Sequence, residues 1–253
     1  MRSVSQIIAV VTAIVLASLL AMAVLNRFWP REKRRGYNDL IGWQLGILGT
    51  TYAVILGFML FAVWESLGEA ALNVDAEANA AVDLYRLAQG LPEPQRTRLE
   101  RLAREYVDMV IAREFPAMAR GEVPPPNVAI DRDMWEVVMT VVPASPTEVN
   151  AQEHAILELQ TLEQRRLTRI RQSTTRLPNV LWCVLLVGGA LTIISSCTFG
   201  GDSVKLQTME VFCFSLLISL SLVAIASIHR PFHGYVHVTD YVFERARQSM
   251  QSQ

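Results

Sequence analysis

GWQLGILGTTYAVILGFMLFAVWESLGEA, residues 42–70, decides how the rest of the chain is read. It begins as an apolar helix and runs into Glu65 and Glu69 with no turn signal between. Trp43 and Trp64 stand 21 residues apart. On a helix that is about 32 Å, close to the spacing of the two aromatic belts flanking a bilayer's hydrocarbon. Wound into a helix, Gly42, Gly46, Gly49, Ala53 and Gly57 recur at steps of three and four. They form one face of small residues, the kind that lets helices approach closely in lipid. The opposite face carries Gln44, Leu48, Thr51, Ile55, Phe58, Ala62, Glu65 and Glu69. Repeated around a symmetry axis, that face would line a pore with a greasy constriction and an acidic mouth. Such constrictions gate by dewetting, and acidic rings favour cations. The competing reading is a lipid-facing helix whose polar ends reach the headgroups.

Working outward, three further apolar runs match this one in length. The predicted spans lie at about 5–25, 41–64, 180–199 and 209–228 of the 253 residues. Runs of about 20 apolar residues are long enough to cross roughly 30 Å of hydrocarbon. The expected fold is therefore all-α: a polytopic membrane protein with two transmembrane hairpins flanking a helical extramembrane insert. The expected divisions are a first hairpin at 1–64, an insert at 65–178, a second hairpin at 179–230 and a polar tail at 231–253. The first run is read as a retained span, because it exceeds a signal-peptide core and the basic block Arg31-Glu32-Lys33-Arg34-Arg35 follows it.

The insert reads as helices throughout. Its first part continues from the second span and stops at Gly90 and Pro92-Glu93-Pro94. A second helix covers about 94–120, with Leu99, Leu102, Tyr106 and Val110 on one face and Met109 beside them. Pro124-Pro125-Pro126 makes a stiff loop, and Asp131 serves as the N-cap of a short helix. Ser145-Pro146-Thr147-Glu148 combines an N-cap serine, a first-turn proline and a capping-box glutamate, so a long helix starts there. Glu114-Phe115-Pro116 and the arginines of 165–171 read as ordinary helix-surface residues.

The chemistry on offer is limited. A net charge of -1 at pH 7 gives no electrostatic footprint for nucleic acid. The three cysteines fall inside membrane runs, with neither disulfide nor zinc spacing. There is no Gly-rich phosphate loop, HExxH, CxxC or G-x-S-x-G elbow, so neither an enzyme nor a cofactor is expected. The last span ends in a motif of His229, Arg230, Pro231, Phe232, His233 and Gly234. His229, His233 and His237 recur at steps of four, yet Pro231 and Gly234 oppose the continuous helix that metal binding would need, and no metal site is expected. The expected partners are the lipid bilayer and further copies of the chain.

Several short motifs resemble one widespread membrane family. They are Tyr52-Ala53-Val54-Ile55-Leu56 leading to Val63-Trp64-Glu65, Glu77-Ala78, and Leu84-Tyr85-Arg86. Arg113-Glu114-Phe115-Pro116, Arg176-Leu177-Pro178-Asn179-Val180-Leu181-Trp182 and Arg230-Pro231-Phe232-His233-Gly234 complete the set. Together they resemble the bestrophin-like family, a domain of unknown function with four transmembrane helices. Phe115 replaces the family's usual tryptophan, and His229 stands where an acidic residue is common. The resemblance implies a pentameric ion channel with a hydrophobic neck lined by the second span. Glu65 and Glu69 suggest cation preference, unlike the animal bestrophins, which are anion channels. The rival is a non-conducting membrane-anchored scaffold or sensor.

Orientation draws opposing votes. The first short loop, with Arg27, Arg31, Lys33, Arg34 and Arg35, would be cytoplasmic by charge. Arg165, Arg166, Arg169, Arg171 and Arg176 argue for the other side. The resemblance tips the expectation to a cell-membrane protein with the insert and both termini in the cytoplasm.

Overall fold

The computed structural model describes residues 4–124, 128–200 and 203–252. The helices are α1 (Val4–Phe28), α2 (Arg31–Arg34), α3 (Asn38–Ala88), α4 (Gln95–Met109), α5 (Phe115–Arg120), α6 (Val128–Met139), α7 (Pro146–Thr174), α8 (Asn179–Thr198), α9 (Val204–Ile228) and α10 (Tyr241–Gln251). A 3₁₀ turn, Arg35–Tyr37, leads into α3, and a π-helical turn, Val110–Glu114, joins α4 to α5. The described residues contain no strand, and four helices are long and apolar enough to cross a membrane. The protein is an all-α polytopic membrane protein. Of the proline loop expected at 124–126, Pro125 and Pro126 lie outside the described residues.

The chain divides into two compact units, Met1–Glu65 with Arg176–His229, and Ser66–Thr175 with Arg230–Gln253. In the first unit, α1 packs chiefly on α9, and α8 packs on both. Tyr52 of α3 is buried and donates its hydroxyl to the Leu185 carbonyl of α8 at 2.8 Å. That contact explains the Gly188-Gly189 pair. A Cβ on Gly188 would meet the Tyr52 ring at 2.7 Å, and one on Gly189 would meet its hydroxyl at 2.8 Å. At the α2 end, Arg34 is fully buried. It donates to Asn26 Oδ1 and, at 2.7 Å, to the Cys197 carbonyl in the last turn of α8. Gln207 Nε2 donates to the same carbonyl at 3.1 Å and to that of Phe199 at 2.9 Å. Carbonyls orphaned at the end of α8 are thus satisfied by side chains from two other segments.

The second unit holds the larger apolar core. Leu84, Leu99, Met118, Met134, Leu159, Leu162 and Phe243 are all under 2% exposed within it. The face expected on α4 is the one buried, with Leu99, Leu102 and Tyr106 inside and Val110 following in the π turn. The α5 helix stops in a Schellman arrangement: Gly121 at φ 78° donates to Met118 O, and Glu122 N reaches Ala117 O. Ser145 caps α7 as its spacing predicts, accepting from Glu148 N at 3.3 Å, while the Glu148 carboxylate accepts from Ala144 N at 2.6 Å.

Two expectations need correction here. The short helix begins at Val128, one turn before Asp131, so Asp131 is a first-turn residue rather than the N-cap. Its carboxylate accepts from Arg166 instead of from a local backbone amide. The helix expected over 94–120 is also interrupted by the π turn at 110–114, which inserts an extra residue into its register.

Candidate functional site

The face of α3 that its own unit buries contains Ile41, Tyr52 and Val63, with Leu45, Leu56 and Met59 partly covered. Neither face singled out in the sequence coincides with it. On the expected pore face, Gln44, Thr51, Phe58, Ala62, Glu65 and Glu69 are exposed, and Leu48 and Ile55 are half-buried. Phe58 is 70% exposed, a large apolar area left without a partner inside the chain. On the small-residue face, a Cβ added at Gly46, Gly49 or Gly57 would touch nothing within 4 Å. One added at Gly42 would meet the Phe199 ring at 3.7 Å. Gly49, Ala53 and Gly57 instead wall an apolar groove of about 280 Å³, closed opposite by Thr192, Phe214 and Leu217. Among the described residues, no helix fills it.

The membrane-end motif separates into two parts. His229 caps α9 in the first unit, with Nδ1 2.9 Å from the Ala226 carbonyl and its ring edge-on to Trp182 at 5.6 Å. Arg230, Pro231, Phe232, His233 and Gly234 belong to the second unit. There Phe232 is buried and stacks edge-on against Phe115 at 6.1 Å, and His233 Nδ1 lies 2.7 Å from the Ala119 carbonyl. Gly234 sits at φ 129°, in a region that favours glycine. Pro231 O accepts from Val238 N at 2.7 Å, which folds the segment back on itself. His233 and His237 lie on this non-helical chain beyond α9.

Of the charged residues read as ordinary surface groups, Arg165 and Arg171 are exposed, but Glu114, Arg166 and Arg169 are buried, together with Glu77. Glu77, Glu114 and Arg169 have no exposed side-chain area, and Arg166 has 8%. Arg169 donates from Nε to Glu77 Oε2 at 2.7 Å, from Nη2 to Glu77 Oε1 at 2.8 Å and from Nη2 to Glu114 Oε2 at 2.5 Å. Tyr106 donates its hydroxyl to Glu77 Oε1 at 2.6 Å. Arg166 donates to Glu114 Oε1 from Nη2 at 2.6 Å, and to Asp131 Oδ2 from Nη1 at 3.1 Å. The guanidinium of Arg169 also faces the rings of Phe115 at 5.5 Å and Phe243 at 5.8 Å.

Electrostatics follow from that burial. Loss of water opposes the charge on Arg169, yet Glu77 and Glu114 more than offset it and hold its pKa above the ordinary value. Burial, reinforced by the Glu77 charge, pushes the Tyr106 hydroxyl well up. Asp131 is pushed up to about 6, first by burial, with Glu163, Glu114 and Glu77 adding to the rise and Arg166 opposing it.

A sequence signal for this cluster did exist. Leu159, Leu162, Arg166 and Arg169 recur at steps of three and four, as do Val74, Glu77, Ala81 and Leu84. Charges in register with an apolar stripe are candidates for burial, and once buried they demand partners. The π turn brings Glu114 into that register from the third side.

A family profile described as Bestrophin-like domain matches residues 12–243. No curated protein matches this chain. Among solved structures, one of a substituted bacterial bestrophin homologue from Klebsiella pneumoniae matches at 17% identity and a TM-score of 0.64, covering 98% of this chain and 100% of that one. A second substituted form from the same organism gives 17% identity and a TM-score of 0.68, with coverage of 97% and 99%. A third structure of the homologue, solved by zinc phasing, gives 16% and 0.65, with coverage of 96% and 98%. At these identities the likeness is one of fold, while the family profile spans nearly the whole sequence. The chain belongs to the Bestrophin-like family.

Proposed function

We propose that the protein is an ion channel of the cell membrane, built from several copies of this chain around α3. The carrying observation is that two faces of α3 are left largely uncovered by the described residues, one of them bearing the 70%-exposed Phe58. In this reading, the small-residue face of Gly42, Gly46, Gly49, Ala53 and Gly57 meets a neighbouring copy. Gln44, Leu48, Thr51, Ile55, Phe58, Ala62, Glu65 and Glu69 line the pore, with Ile55 and Phe58 at its constriction and the carboxylates at its mouth. Membership of the Bestrophin-like family supports five copies and a cytoplasmic insert. Repeated carboxylates at the mouth support cation preference.

Purified protein in liposomes tests this reading. Ion flux is expected, altered by Phe58→Ala, with a cation-selective reversal potential in asymmetric potassium chloride. A chloride-selective reversal that Glu65→Gln with Glu69→Gln leaves unchanged would refute the assigned mouth. A purified monomer or dimer with no flux would favour the non-conducting scaffold.

A further inference from the structure

The cluster around Arg166 and Arg169 is unbalanced. Three carboxylates, Glu77, Glu114 and Asp131, face two guanidiniums. Four of the five side chains are 8% exposed or less, so the surplus negative charge is poorly solvated. Asp131 stands at the edge, 19% exposed, where a proton from water can reach it. It is also the cluster's contribution from α6, whose other polar ties to α7 are the Trp135 Nε1 bond to Glu163 at 3.1 Å and the Gln152 Nε2 bond to the Val138 carbonyl at 2.9 Å.

The groups facing Asp131 come from every element around it. Arg166 and Glu163 come from α7, Glu114 from the π turn and Glu77 from α3, with the surplus negative. On α6 itself, Arg132 and Asp133 pair with each other at the surface. We propose that α6 is a proton-controlled flap: a proton on Asp131 neutralises the cluster and secures α6 against α7, and its loss leaves a buried excess charge that favours undocking. The sign is opposite to that of a plain Arg166–Asp131 salt bridge, which acid would break. In the undocked flap Asp131 is hydrated and binds protons less tightly, so by linkage acid must favour the docked form. The inference does not depend on ion conduction.

Hydrogen exchange of the full-length protein in detergent, followed by mass spectrometry and corrected for intrinsic rates, reads the opening of α6 directly. Protection of residues 129–139 should rise about three- to tenfold between pH 8 and pH 5, the upper figure being the full linkage for Asp131 and the lower one allowing for partial solvent screening. Asp131→Asn should show the high protection at both pH values. Asp133→Asn, at the exposed neighbouring site, should keep the wild-type dependence. Protection that falls or stays flat on acidification of the wild type overturns the proposal, whether or not Asp131→Asn folds. A pH dependence that survives in Asp131→Asn overturns it too.

Discussion

Replacing Arg169 by methionine removes the cation while keeping much of the side-chain volume. In the folded protein that leaves Glu77 and Glu114, neither with exposed side-chain area, short of the donor that joins them. Three charge-assisted bonds of 2.7, 2.8 and 2.5 Å disappear together. Breaking a buried pair from one side costs about 3–5 kcal/mol, because the orphaned charge keeps its desolvation penalty. For a unit of this size that corresponds to roughly 8–16 °C in melting temperature. Arg101 is the internal control. It bonds Glu105 at 2.6 Å, a length no worse than those of Arg169, but the two side chains are 59% and 45% exposed. Arg101→Met should cost less than about 1 kcal/mol. Thermal unfolding of detergent-solubilised protein, followed by circular dichroism at constant pH, compares the two. Combining Arg169→Met with Glu77→Gln and Glu114→Gln should recover part of the loss, since no unpaired carboxylate remains. A melting temperature for Arg169→Met no lower than that for Arg101→Met would refute the reasoning, since burial would then not govern the strength of these pairs.

Gly188→Ala drives a methyl to 2.7 Å from the Tyr52 ring and should destabilise the first unit by about 1–3 kcal/mol, read as a lower melting temperature. Gly189→Ala should be partly rescued by Tyr52→Phe, because the nearest atom it meets is the Tyr52 hydroxyl at 2.8 Å. The pKa of Asp131, raised from 3.8 to about 6, contributes stability that is complete below about pH 4 and lost as pH rises through 6. The gap in melting temperature between wild type and Asp131→Asn should therefore be wider at pH 8 than at pH 5. Double substitution Glu65→Gln with Glu69→Gln should shift the reversal potential in asymmetric potassium chloride towards that of an unselective pore. A cysteine placed at Pro124 should resist membrane-impermeant labelling in intact cells; ready labelling would put the insert outside.

Much of the architecture is written locally. Runs of about 20 apolar residues set the spans, because hydrocarbon thickness is a length that a sequence can be measured against. The start of α7 is equally local, since Ser145 and Glu148 act within one turn. Leu99, Leu102 and Tyr106 fall on the buried face of α4 because helical periodicity alone puts them there. The charged core is different. Glu77 and Arg169 are 92 positions apart, and Arg166 and Glu114 are separated by 52. Arg166 reads as surface in the sequence because an arginine on an apolar stripe can equally snorkel to solvent; only a carboxylate arriving from another helix settles which. The fully buried Arg34 is a similar case, standing in a basic block that reads as a membrane flank until the end of α8 supplies a carbonyl 163 residues away. Sequence by itself determined the four apolar spans and most helices of the insert, since both follow from short-range periodicity and length, whereas the π turn and α10 emerge only in the fold. Tertiary structure alone decided which charges are buried, since a buried charge is tolerable only where distant segments converge to pair it.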